Sequence, residues 1–417
     1  MDFDDTPEEA TFRQEAHDWL SAHLPPRPPA RMDAYFLRRP ITAAEVQASR
    51  EYQAIKAKSS YAAITWPRAY GGYGGSLLQQ VIWNQEEGRF LAPVNVFHLG
   101  IGLAGPTIMT HGTEAQKNHF LPRILTAEII FCQLFSEPAA GSDLAGLRTR
   151  AVRDGDTWII NGQKVWNSLA HIADWGILVT RSDPNVPKHK GLTYFIVDMH
   201  SPGVEVRPIK QITGGATFNE VFLTDVVIPD ENRVGAVGEG WRVALTTLMN
   251  ERMLLGAGRQ PGPDTGAILD LAARCMIQGR PAIEDSSIRQ ELAELITQQE
   301  ALRLTGYRAL TALSQGRPPG PEGSIGKLAV AQLMQRIGSV AMGLQGASGA
   351  VMGEQAMDEG LWQEMFLAAS GTRIAGGTDE IQRNIIGERL LGLPADMRSD
   401  KDRPFSEIPT SARAQAG

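Results

Sequence analysis

Cysteine is nearly missing from this sequence: its 417 residues hold two, Cys132 and Cys275, far apart and in segments that read as buried. This excludes a disulfide framework, fits a reducing compartment, and leaves no thiol cluster for zinc or redox chemistry. Positive charge is short as well. There are 40 Lys and Arg against 47 Asp and Glu, a net charge of -7, which argues against nucleic acid or an anionic membrane surface as a main partner. No apolar run approaches membrane-spanning length. The N-terminus is acidic (Asp2, Asp4, Asp5, Glu8, Glu9) and lacks a basic start with an apolar core, so no signal peptide is expected and a cytoplasmic location is the default. What remains is an ordinary globular composition, 42% hydrophobic and 21% charged, long enough for two or three domains.

The periodicity divides the chain into an α+β multidomain arrangement. Residues 1–128 read as an N-terminal α-helical domain, with amphipathic patterns over 11–23, 44–58 and 77–90. The clearest start signal is a capping box at Thr113 to Gln116, in which hydroxyl and amide each satisfy a free backbone donor. The glycine-rich loop at 71–75 follows no alternating strand and reads as a turn rather than a phosphate cradle. From residue 129 to 236 the period shortens and a middle antiparallel β domain is expected, with strands at 157–160, 176–180, 192–197, 204–206 and 218–228. Asn161-Gly162 and Pro202-Gly203 are its predicted turns. Residues 237–396 return to helix, with segments at 240–255, 264–278, 287–314 and 326–342 that suggest a C-terminal four-helix bundle. A second capping box is expected at Ser287 to Gln290 and a breaker-rich connection at 317–323. Residues 397–417 read as a flexible tail.

Chemistry concentrates in the stretch 131–168. It combines a small-residue turn at 137–143, hydroxyls at Ser136, Ser142 and Ser168, and an aromatic at Trp166, a mixture that suits a flat, polar-edged ligand such as a flavin. A second feature lies on the helix opening the bundle. At 100° per residue Ala244, Leu248, Glu251 and Leu255 share one stripe, which puts a carboxylate on an apolar face. Glu251 is then either a structural ion pair with Arg252 or Arg274, or a base raised by desolvation. Other candidates fail on spacing. Residues 320–327 are one residue too long for a P-loop and carry Leu328 in place of the hydroxyl, and Ser348 falls one residue short of a nucleophile elbow. His111 and His119 show no metal-ligand arrangement, and no metal is expected. Met334, Met342, Met352 and Met357 read as core filler.

Three motifs, SEPAAGSD at 136–143, NGQKVWNS at 161–168 and GGTDEIQRN at 376–384, together resemble the acyl-CoA dehydrogenase family. The resemblance runs from about Phe12 to Pro394. It implies FAD between the β domain and the bundle at a subunit interface, an acyl-CoA substrate and a role in lipid metabolism. An electron-transfer flavoprotein or similar acceptor is also implied, with a homo-oligomer (dimer or tetramer) or a hetero-oligomer with a related subunit. Carried over by residue, Gln133, Phe135 and Ser136 would lie along the isoalloxazine, Trp166 at its other side, and Ser168 at its polar edge. Ser142 and Arg252 would meet the acyl-CoA. Thr378 and Glu380 would contact the adenosine and phosphate portion, and Arg274 the cofactor of a neighbouring subunit.

Two departures from the family pattern bear on mechanism. Where members resembling the medium-chain enzyme carry the catalytic glutamate, this chain has Gly376. Members resembling the isovaleryl and long-chain enzymes take the base from the helix opening the bundle, and the matching residue is Glu251. The segment at Gly346 departs from the family's Gly-Gly-x-Gly, and Gly343 stands in place of its glutamine, which weakens the expected pyrophosphate contact. The resemblance therefore implies α,β-dehydrogenation of an acyl-CoA thioester. Glu251 would take the α-proton, and the Gly376 backbone N-H with a flavin ribityl hydroxyl would meet the developing oxyanion. The vacated side chain at Gly376 suggests a branched or bulky acyl group. A same-fold flavin oxidase or monooxygenase, or a non-catalytic subunit of a mixed oligomer, fits the same motifs.

Overall fold

The computed structural model describes residues 5–27, 41–256, 265–315, 320, 322–395, 400 and 402–408. The N-terminal region is built from α1 (Pro7–His23), α2 (Ala43–Lys58), α3 (Leu77–Glu87), α4 (Gly105–His111) and α5 (Glu114–Leu125). Four of these start with one chemistry. The hydroxyls of Thr6, Thr42, Ser76 and Thr113 each accept from the N-H three residues on, and Glu9, Glu45, Gln79 and Gln116 reach back to the cap. Of these boxes only that at Thr113 is among those expected from the sequence. The glycine-rich loop folds around buried Trp66, with Gly74 N donating to Trp66 O at 2.9 Å, as its reading as a turn requires.

The middle region holds β1 (Phe131–Leu134), β2 (Arg150–Asp154), β3 (Thr157–Ser168), β4 (Trp175–Arg181), β5 (Leu192–Asp198), β6 (Val204–Ile209), β7 (Phe218–Pro229) and β8 (Arg233–Val234). Among the described residues they form one sheet in the order β6-β7-β3-β2-β4-β5-β8, with β1 alongside β4. Pairing is antiparallel except between β1 and β4 and at the single β2–β4 contact of Arg150 with Arg181.

The turn expected at Asn161-Gly162 is not there. The chain reverses instead at Gly155, whose φ is 57°, and Asn161 and Gly162 lie inside β3 at a register shift opposite β7. A Cβ at Gly162 would sit 2.4 Å from Thr149 Oγ1 and 2.7 Å from Thr149 Cα. Glycine is there for a close approach between strands, not for a reversal. Asn161 and Asp225 exchange hydrogen bonds of 2.9 and 3.0 Å across the irregularity.

The C-terminal region comprises α6 (Gly240–Gly256), α7 (Thr265–Arg274), a small hairpin of β9 (Met276–Ile277) and β10 (Arg280–Pro281), then α8 (Ser286–Ser314), α9 (Glu322–Gln345), α10 (Leu361–Thr372) and α11 (Asp379–Ile385). The expected cap at Ser287 is displaced to Asp285, whose Oδ1 accepts from Ser287 N at 2.9 Å and Ile288 N at 3.2 Å. One core joins α7, α8, α9 and α10 through Leu271, Leu295, Ile337, Ala341 and Met365. Val243 and Ala244 of α6 belong to a second core, shared with the sheet and with α4 and α5. α6 therefore leans on the other two regions, against α4, β4 and β5.

The expected flexible tail needs correction for residues 402–408. Phe405 is buried against the β4–β5 loop, with its N-H on Val186 O at 2.9 Å. Among the described residues no helix is long and apolar enough to cross a membrane, and no cluster of His, Cys, Asp and Glu could hold a metal.

Candidate active site

β3 passes beside β1, and its alternation turns every second side chain inward. Three hydrogen bonds close the seam: Asn167 Nδ2 to Gln133 O at 2.7 Å, Lys164 Nζ to Phe135 O at 3.0 Å, and Val165 N to Ser136 O at 2.9 Å. Lys164 is wholly buried and pairs with Glu137 at 2.9 Å. The Glu137 carboxylate also accepts from Arg148 N at 2.6 Å and Thr149 N at 2.8 Å. Burial pushes that carboxyl up, but the Lys164 charge and the N-H donors outweigh it and hold it below the usual carboxylate range. This pair pins the turn carrying exposed Ser142 to the seam. Neither member was assigned a role from sequence, although the alternation of NGQKVWNS sets Lys164 on the inward side.

The seam ends in a bulge. Between Lys164 and Asn167 the register with β7 slips, and Trp166 takes φ 63°, a left-handed conformation that a bulky residue adopts only under constraint. The bulge throws Trp166 out of the sheet, 59% exposed, with the Phe218 ring roughly perpendicular to it and the centroids 6.1 Å apart. Asn167, next to it, carries a buried Oδ1 with no hydrogen-bond partner among the described residues. Gln133, Ser136 and Ser168 are half-buried around it, and Phe135 is buried. An exposed flat ring, a polar rim and an unsatisfied buried oxygen fit a planar ligand with polar edges.

α6 reaches this seam through hydroxyls. Phe135 stands edge-on to Tyr194, centroids 5.9 Å apart. Tyr194 Oη lies 3.1 Å from Thr247 Oγ1, which lies 2.9 Å from Thr107 Oγ1. All three hydroxyl residues are buried, and burial pushes the Tyr194 phenol well up, so it stays protonated. His111 Nε2 adds a contact of 2.8 Å to Thr246. Glu251 follows Thr247 by four residues on the same helical face and is half-buried. The structure thus brings Gln133, Phe135, Ser136, Trp166 and Ser168 to one seam, and Tyr194 links that seam to Thr247 on the face of α6 that also carries Glu251. Tyr194 and Thr247 were missed, because a tyrosine on a strand and a threonine on a helix carry no local signal.

The remaining predicted residues lie elsewhere in the chain. Gly376 has φ 66° and Gly377 φ 93°, and Gln382 Nε2 donates to both carbonyls, at 3.1 and 3.3 Å. Thr378 caps α11 by accepting from Ile381 N at 3.3 Å. Glu380, exposed in the first turn of that helix, is held below its ordinary range by backbone and Thr378 hydrogen bonds. Arg274 pairs within the chain, with Asp358 and Asp270, each at 2.8 Å. Gly346 is exposed at φ 53°. The Arg252 side chain lies outside the described residues.

Residues 6–128, 132–226 and 238–391 match family models described as the N-terminal, middle and C-terminal domains of acyl-CoA dehydrogenase. Acyl-CoA dehydrogenase IpdE1 of Mycobacterium tuberculosis (strain ATCC 25618 / H37Rv) is 39% identical over 359 residues, which cover 85% of this chain and 91% of IpdE1. Acyl-CoA dehydrogenase FadE34 of the same organism is 42% identical over 330 residues, 79% of this chain but 44% of FadE34, so the chain spans less than half the length of that relative. Among solved structures, the Tcur3481-Tcur3483 steroid ACAD is similar with a TM-score of 0.78 at 28% identity, covering 95% of this chain and 100% of that one. A chain of the ChsE4-ChsE5 complex from Mycobacterium tuberculosis is similar with a TM-score of 0.75 at 30% identity, again over 95% and 100%.

Proposed function

Because this chain belongs to the acyl-CoA dehydrogenase family and is thereby a flavin-dependent oxidoreductase acting on acyl-CoA, we propose that it carries out FAD-dependent α,β-dehydrogenation of an acyl-CoA with a branched or bulky acyl group. The observation that carries the reading is the fixed face of α6. Thr247 is held by Tyr194 and Thr107, and Glu251 follows it by one helical turn on the same face, which supports Glu251 as the base.

Gln133, Phe135, Ser136, Trp166 and Ser168 would hold the isoalloxazine, with Arg274, Gly346, Thr378 and Glu380 toward the adenosine and phosphates, in part from a neighbouring subunit. Bound there, FAD supplies the acceptor for a hydride from the substrate's β-carbon. Glu251 takes the α-proton from its half-buried position on α6. The Gly376 N-H meets charge developing on the thioester oxygen. Ser142 and Arg252 hold the substrate. At φ 66° a side chain at position 376 would be strained by about 1 kcal/mol. We read the missing side chain at position 376 as room for the acyl group. The similarity to a steroid ACAD supports a substrate with a ring system.

A second subunit also has support, since two of the similar structures are named as pairs of chains. We read this chain as one that works in an oligomer, with itself or with a related subunit, and passes electrons to an electron-transfer flavoprotein or similar acceptor.

Anaerobic addition of a panel of acyl-CoAs tests the reading. The expected result is bleaching of the visible flavin absorbance with enoyl-CoA formed, faster for branched or ring-bearing acyl groups. No bleaching with any thioester would remove the dehydrogenation, and faster bleaching by short straight chains would remove the bulky substrate.

A further inference from the structure

Beyond Ala395 the chain returns to the sheet and is clamped there. Phe405 N donates to Val186 O at 2.9 Å, Ser406 N to Pro184 O at 2.8 Å, and Pro404 bridges Pro187. The Phe405 ring, 6% exposed, has the Arg181 guanidinium 3.8 Å and the Arg148 guanidinium 4.9 Å from its centroid. Arg181 is itself a brace: its Nη2 donates to Ala145 O at 2.5 Å and Leu147 O at 3.3 Å, and its Nη1 to Lys188 O at 2.6 Å. Lys188 Nζ spans two carboxylates, Asp143 at 2.8 Å and Asp400 at 2.6 Å. Two separate contacts from the C-terminal segment therefore converge on one turn. Asp400 acts through Lys188 on Asp143, adjacent to Ser142, and Phe405 acts through Arg181 on the carbonyls just after it.

That turn needs support. Gly141, Ser142 and Asp143 are exposed and belong to no strand or helix. Ordering them when substrate arrives would cost affinity, whereas bracing them beforehand saves that cost without touching the chemical step.

We infer that Asp400 and Phe405 are positioning residues for the substrate, holding the 137–147 turn in the shape in which Ser142 meets the acyl-CoA. This rests on the reading of Ser142 as a substrate contact. The segment acts on binding, not on proton or hydride transfer, so its signature is a KM effect with kcat kept.

The test uses the full-length holoenzyme with Phe405→Ala, Phe405→Tyr, Asp400→Asn and Ser142→Ala, each measured for KM, kcat and flavin per chain. Phe405→Ala is expected to raise KM about fivefold to tenfold with kcat within about twofold and flavin unchanged. Phe405→Tyr keeps a ring on Arg181 and is expected to retain the wild-type KM, while Asp400→Asn raises KM by a smaller factor. Should Phe405→Ala fail to fold, Asp400→Asn and Phe405→Tyr still give the comparison. Unchanged KM in both Phe405→Ala and Asp400→Asn overturns the inference, as does a parallel fall of kcat and flavin content, which marks a merely structural anchor. A raised KM in Ser142→Ala beside unchanged Asp400 and Phe405 variants overturns the bracing role of the C-terminal segment (the strap) alone. The reverse pattern keeps the strap and removes Ser142 as the contact it serves.

Discussion

Trp166 meets Phe218 edge-on, their rings at 87° and their centroids 6.1 Å apart, from a backbone held at φ 63°. The bulge that makes this possible sits between Lys164 and Asn167, which are anchored to Phe135, just after β1, and to Gln133 of β1. The strain is thus flanked by two anchored neighbours, and it leaves the indole 59% exposed.

Replacing Trp166 separates stability from cofactor retention. Trp166→Gly relieves a left-handed conformation costing about 1–3 kcal/mol and loses little packing, because the ring is mostly exposed. Its Tm is expected to equal or exceed that of the wild type while the flavin per chain falls. The 450 to 280 nm absorbance ratio and a thermal scan check both. Full flavin retention would show that the ring does not line the flavin.

The buried pair of Glu137 and Lys164 makes a prediction about acid. Lys164→Met leaves the Glu137 carboxylate buried without its cation, and urea denaturation should show a loss of about 3–5 kcal/mol. The double variant Glu137→Gln/Lys164→Met should be less impaired than that single one. The folded pKa of Glu137 is depressed, so its contribution is fully present above the unfolded carboxyl value, about 4.3, and is lost as pH falls through the folded one. Below about pH 4 the wild type should therefore lose stability with acidification more steeply than the double variant. Equal slopes would mean that the pair carries no net charge coupling.

Local order was legible where the signal is local. The change of period near Phe131, the cap at Thr113 and the strand through Trp158 and Ile160 can all be read from neighbouring residues. What could not be read depends on contacts between distant parts of the chain. Gly162 looks like a turn because its approach to Thr149 is invisible until β2 and β3 pair. α10 was missed because its buried residues, Trp362, Gln363, Glu364 and Met365, run consecutively and blur the helical period. Likewise Asp285 caps α8 only because the helix starts two residues earlier than a box capped by Ser287 suggests. Glu251 could be singled out from its stripe. The hydroxyls that fix its helix come from Thr107 and Tyr194, far away in sequence.

Those hydroxyls give the next prediction. Thr247→Val keeps the shape but leaves the buried Tyr194 phenol short of a partner, which should cost about 1–3 kcal/mol. If the contact sets the position of Glu251, kcat should fall about tenfold while KM stays within about twofold. Steady-state kinetics on flavin-replete enzyme decides it. An unchanged kcat would mean that α6 is positioned by its apolar face alone.

The most direct test of the whole account is Glu251→Gln, assayed for turnover of an acyl-CoA with flavin content measured on the same preparation. The substitution keeps size and polarity but removes the base. The account predicts full flavin and a loss of turnover of about 10² to 10⁴-fold. Turnover within about twofold of the wild type, with flavin retained, would contradict it and place the base elsewhere.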